Sequence, residues 1–114
     1  MNDRHEAMHR MNEAELSALA EQATHAARLL KLLGNESRLM IACLLITRGE
    51  MAVGELLEEL RLSQSALSQH LARMREDGVV KFRRSAQNLY YSIGEPNAVE
   101  VIALLKRLYC KDLR

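Results

Sequence analysis

The chain has 114 residues, 48% of them apolar and 27% charged, with a formal net charge of only +1. That is about one domain of globular sequence with enough apolar material for a core, and it excludes a disordered or low-complexity chain. No apolar run approaches the roughly 18 residues of a membrane span. The first residues also lack the basic-then-apolar pattern of a secretory signal, so a cytoplasmic chain without a membrane partner is expected.

Residues 1–12 are polar, with scattered His and Met, and read as a flexible N-terminal segment; the domain is placed over 13–114. A helix is expected from about Glu13, with Leu16, Leu19, Ala20, Ala23, Ala27, Leu30 and Leu33 as a long apolar stripe. Gly34 ends it, on the expectation of a left-handed C-terminal residue. Asn35 is a good N-cap for a second helix over about 36–47, which is apolar almost all round and should sit centrally. Gly49 breaks that helix, and Met51 to Val53 reads as a short apolar connector.

Residues 54–60 form the first helix of a helix pair, Arg61-Leu62 the turn, and Ser63 the cap of the next helix. On that helix Leu67, Leu71 and Met74 fall at i, i+4 and i+7 and make a buried stripe. The opposite face carries Gln64, Ser65, Ser68 and Gln69, short uncharged groups that can approach base edges without needing a salt partner. Asp77-Gly78 closes the helix. Val80 and Phe82 then alternate with Lys81 and Arg83, and Leu89, Tyr91 and Ile93 alternate with polar neighbours. This is a β-hairpin turning through Ser85-Ala86-Gln87. Pro96 opens a last helix whose apolar face holds Ala98, Val101, Ile102, Leu105, Leu108 and Tyr109.

The expected fold is therefore mainly α with a small β-hairpin, a winged helix-turn-helix in the order α-α-α-α-β-β-α. The end helices carry more apolar surface than one small domain can cover. That argues for a homodimer through the N- and C-terminal helices. Charge is unevenly spread: residues 1–60 carry 6 Lys+Arg against 10 Asp+Glu, whereas 61–91 carry 6 against 2. The positive excess lies on and after the helix at 64–76, where nucleic-acid phosphates would need it. A dimer would then set two such helices about 34 Å apart, in successive major grooves of a pseudo-palindromic duplex.

The chain resembles the ArsR/SmtB family of bacterial repressors through Leu33-Gly34-Asn35-Glu36-Ser37-Arg38-Leu39, Val53-Gly54-Glu55-Leu56 and Leu62-Ser63-Gln64-Ser65-Ala66-Leu67-Ser68-Gln69-His70-Leu71, with Arg83-Arg84 and Tyr90-Tyr91 in the wing. The resemblance covers roughly residues 15–110. It implies a transcriptional repressor, not an enzyme, with Gln64, Ser65, Ser68 and Gln69 facing the groove of double-stranded DNA and His70 beside them. Arg73, Arg83 and Arg84 are the implied phosphate contacts. The wing tip, Ser85-Ala86, departs from the glycine that many members carry.

Neither usual metal site of the family can be assembled. The helix at 54–60 has no cysteine, and the last helix offers Glu95 and Glu100 but no histidine. His5, His9 and His25 stand in the N-terminal part, His5 and His9 at i, i+4. No metal and no cofactor is expected. By themselves, Cys43 reads as a small core residue and Cys110 as an incidental thiol; their separation and the lack of a C-x-x-C argue against a permanent disulfide in a reducing compartment. The resemblance implies more. The BigR-, SqrR- and YgaV-like branch of the family has cysteines at these two places, with Tyr109-Cys110 matching well, and joins them by a disulfide or polysulfide bridge in response to reactive sulfur species. Lys106, Arg107 and Lys111 lie near Cys110 and would favour its thiolate. The alternative is a repressor of the same family answering a metal or other ligand at a site not recognised in the sequence.

Overall fold

The computed structural model describes residues 10–110. Helix α1 spans Glu13–Leu33. It starts where a capping box satisfies its free amides: the Asn12 side chain accepts from the Glu15 N–H at 2.7 Å, and the Glu15 carboxylate accepts from the Asn12 N–H at 3.0 Å. Only Leu32 and Leu33 of α1 are buried. Gly34 ends the helix with φ −77°, so the expected left-handed residue is not there. A Cβ at this position would lie 3.0 Å from the Leu30 carbonyl oxygen, and close backbone approach is what glycine supplies.

Helix α2, Glu36–Arg48, is capped by the Asn35 side chain, which accepts from the Arg38 N–H at 3.1 Å. It is central, packing on α1, on the helix at 64–76, on the second hairpin strand and on the last helix, with Ile41, Ala42 and Leu45 almost wholly excluded from water. It is not buried all round: Met40 is exposed and Cys43, Leu44 and Ile46 are half-buried. Gly49 stops it at φ +85°, a conformation that side chains rarely adopt.

The expected connector is a strand. β1, Met51–Ala52, pairs antiparallel with β3 (Met51↔Tyr91, Ala52↔Tyr90) and gives a three-stranded sheet of order β1-β3-β2. Two residues are too few to show a period of two, so only the tertiary pairing reveals it. Helix α3, Val53–Glu59, begins and ends one residue before the expectation, with Leu60 as its extended cap. Helix α4, Gln64–Glu76, is capped by the Ser63 hydroxyl, which accepts from the Ala66 N–H at 3.1 Å. Leu67, Leu71 and Met74 are at most 2% exposed, as the stripe predicts. Gly78 at φ +75° then turns the chain into the hairpin.

Strands β2, Val80–Ser85, and β3, Asn88–Ile93, pair in full register from Val80↔Ile93 to Ser85↔Asn88. The turn is therefore only Ala86-Gln87, tighter than the three residues expected. Of these two residues only Ala86 has a positive φ, +56°, the pattern of a two-residue turn that usually places glycine first. Helix α5, Pro96–Tyr109, has Pro96 in its first turn and buries only Ala98 completely. The architecture is a winged helix-turn-helix, with five helices and a small antiparallel sheet among the described residues. Leu16, Leu19 and Leu30 of α1 and Val99, Leu104, Leu108 and Tyr109 of α5 remain exposed.

Candidate nucleic-acid interface and thiol pair

An α-helix advances about 100° per residue, so the buried stripe of α4 fixes where its other side chains point. Ser65 and Gln69 lie opposite the core. Gln64, Ser68 and Arg75 form the flank towards the wing, where they line an open cleft with Gly54 of α3 and with Gln87 and Asn88 of the hairpin. Arg73 and Asp77 form the other flank, towards α1. Gln64, Ser65, Ser68, Gln69 and Arg73 are all exposed, and His70 is half-buried. Burial, and then the nearby Arg38 guanidinium, hold His70 below the usual imidazole range. At neutral pH it is an uncharged hydrogen-bonding group beside the ridge and not a cation for phosphate.

The two wing arginines point to opposite faces, because successive strand residues alternate. Arg84 stands opposite Leu89, on the face of the sheet that carries Phe82 and Tyr91 and turns towards α4. Arg83 stands opposite Tyr90 on the outer face. There its Nε and a terminal nitrogen each donate to the Glu50 carboxylate at 2.8 Å, with the guanidinium 4.8 Å from the centre of the Tyr90 ring. The hydrogen bonds from Arg83 hold the Glu50 carboxyl below its ordinary range and, reciprocally, raise the Arg83 guanidinium. Arg84 is exposed and outside the two ion pairs of the described residues, Arg48–Glu59 and Arg83–Glu50.

Arg75 escapes the sequence reading. Its guanidinium lies 4.2 Å from the centre of the Phe82 ring, so it clamps the recognition helix to the base of the wing while keeping its cation at the cleft. The signal was present: Gln64, Ser68 and Arg75 fall at i, i+4 and i+11, one helical face.

The two thiols lie on packed helices, Cys43 in the middle of α2 and Cys110 at the C-terminal cap of α5. Both are free, Cys43 half-buried and Cys110 exposed. Burial pushes the Cys43 thiol above its usual pKa, and negative charge on the neighbouring Cys110 pushes it further in the same direction. The Cys110 N–H donates to the Lys106 carbonyl at 2.8 Å, so the residue caps the C-terminal, negative end of α5. Lys106 and Arg107 in that last turn oppose the dipole. Lys111, and with it His5 and His9, lies outside the described residues, and His25 is exposed on α1. Among the described residues no three potential metal ligands come together.

Residues 35–81 match the family model described as bacterial regulatory protein, arsR family. The chain is 46% identical over 96 residues to the transcriptional activator HlyU of Vibrio cholerae, covering 84% of this chain and 88% of that one. It is 44% identical over 96 residues to the HTH-type transcriptional regulator YgaV of Escherichia coli, covering 84% and 97%. The crystal structure of the transcriptional repressor BigR from Xylella fastidiosa aligns with a TM-score of 0.78 at 35% identity, over 82% of this chain and 95% of that one. These relatives are regulators of transcription and not enzymes.

Proposed function

The chain belongs to the ArsR family and is a transcriptional regulator, and from that premise we propose that it is a dimeric repressor whose reduced form binds a pseudo-palindromic operator and whose Cys43–Cys110-bridged form releases it. One observation carries the DNA half of the reading: an exposed ridge of amides and hydroxyls on α4, rooted by Leu67, Leu71 and Met74 and flanked by Arg73 on one side and Arg75 and Arg84 on the other. Gln64, Ser65, Ser68 and Gln69 read base edges, with His70 at their margin. Arg73 and Arg84 hold phosphates; Arg83 contributes less because Glu50 already neutralises it. The exposed leucines of α1 and α5 make the twofold contact, which sets the recognition helices about 34 Å apart. As a regulator of chromosomal DNA it works in the cytoplasm.

The switch follows from where the thiols sit. Exposed Cys110 meets the reagent first. Its thiolate takes the outer sulfur of a small persulfide, RSSH, releasing RSH and leaving a persulfide on Cys110. The Cys43 thiolate then attacks the inner sulfur of that group and expels hydrogen sulfide, closing the disulfide. A direct bridge needs Cα atoms within about 7 Å, and inserted sulfur atoms span a wider gap. Either bridge ties central α2 to α5 and so alters the spacing of the two recognition helices, to which specific binding is sensitive.

The double variant Cys43→Ser/Cys110→Ser tests this. It should bind operator DNA like the reduced protein and stay bound when glutathione persulfide is added, whereas the parent chain dissociates. Release of the double variant by persulfide would remove the thiol pair from the mechanism.

A further inference from the structure

Arg28 and Lys31 have no part in the reading above. They lie on α1, in the half of the chain with excess negative charge, at i and i+3 on one helical face. In the folded chain they face α4 across an open groove whose other wall is Arg73, Glu76 and Asp77. Glu76 and Asp77 line the same groove, yet the ion pairs of the described residues are formed elsewhere, so the three cations stay free of a carboxylate within salt-bridge distance. Behind them Arg38 donates from Nε to the Leu32 carbonyl at 2.7 Å. Burial and then the positive charge of Arg73 lower its pKa, while Asp77 partly counters them. Arg73 is thus close enough to act on the neighbouring Arg38 guanidinium.

Position decides what such a field is for. A helix is about 10–12 Å across and the major groove about 12 Å wide, so a recognition helix seated in the groove has a phosphate strand along each flank. The wing, with Arg75 and Arg84, serves one strand. The α1 cluster lies on the flank away from the wing, alongside the other. We propose that Arg28 and Lys31, together with Arg73, form a second phosphate shelf, so that α1 grips the DNA backbone as well as carrying the subunit contact. This rests on the operator-binding reading. Glu76, at the lip of the shelf, repels the same strand and so weakens binding to any duplex.

The test is Arg28→Ala/Lys31→Ala in the full chain, titrated against a duplex from the chain's own upstream region and a random duplex of equal length at several salt concentrations. The shelf predicts weaker binding to both duplexes by the same factor, and a salt slope shallower by about 1.8 per protomer, since each lost phosphate contact removes about 0.9. Glu76→Gln should do the reverse, strengthening binding to both duplexes by the same factor. Sedimentation should show the oligomeric state unchanged. An unchanged slope overturns the proposal, and so does a loss of affinity that tracks loss of the dimer, which would assign the cations to the subunit contact. If the parent chain itself shows no preference for the upstream duplex, the operator reading fails instead.

Discussion

Arg83 and Arg84 are neighbours in sequence with opposite fates. Strand alternation sends Arg84 to the side of α4 and Arg83 outward to Glu50, where two 2.8 Å hydrogen bonds and the Tyr90 ring occupy it. An arginine already paired with a carboxylate brings little net charge to DNA. Arg84→Ala should therefore lower the salt slope of binding by about 0.9 per protomer, while Arg83→Ala leaves it nearly unchanged. Equal losses would mean that Glu50 lets go of Arg83 when DNA arrives. Nothing in the order of residues announces that ion pair, because its partners are 33 positions apart and meet only when β1 joins the sheet. The role of Arg75 is hidden for the same reason: its place on α4 is readable from spacing, but the Phe82 ring beneath it is supplied by the wing.

Helices α1, α2, α4 and α5 were legible because each combines a sustained apolar period with a boundary residue that does its job locally. Asn35 and Ser63 each accept a backbone N–H of the first turn, whereas Asn12, which caps α1 in the same way, fell in the segment read as flexible. The Ser63 cap also orders the start of the ridge, since its hydroxyl lies 3.2 Å from that of Ser65. Ser63→Ala should destabilise the fold by about 1 kcal/mol, seen as a lower urea midpoint at unchanged slope. No shift in midpoint would show that the first turn of α4 is held by its packing alone. What could not be read were features without a local period. β1 is two residues long and exists through its pairing with Tyr90 and Tyr91. The conformation at Gly34 depends on the Leu30 carbonyl, not on composition. At the wing tip the missing glycine was visible, but the outcome, Ala86 at φ +56° in a two-residue turn, was set by the strand register.

At the scale of the whole molecule, α1 and α5 carry apolar stripes that the described chain leaves largely uncovered. Leu16, Leu19 and Leu30 are 52%, 48% and 60% exposed, and Leu108 is 54% exposed. A stable pairing buries about 800 Å² per partner, and the proposed dimer draws on these two helices for it. Leu16→Lys/Leu19→Lys should leave the helical content intact, because neither side chain supports the core, yet shift sedimentation from dimer to monomer and abolish high-affinity binding to a two-half-site duplex. A dimer that survives those lysines would place the twofold contact elsewhere.

The central claim is that the exposed polar ridge of α4, from Gln64 to Gln69, reads bases, and the ratio of affinity for the upstream duplex over a random one tests it most directly. Gln64→Ala should lower that ratio by about tenfold or more, the worth of one good bidentate base contact, with the salt slope unchanged because no phosphate contact is lost. A ratio equal to that of the parent chain would contradict the orientation of the helix on DNA, and with it the account of how this protein chooses where to bind.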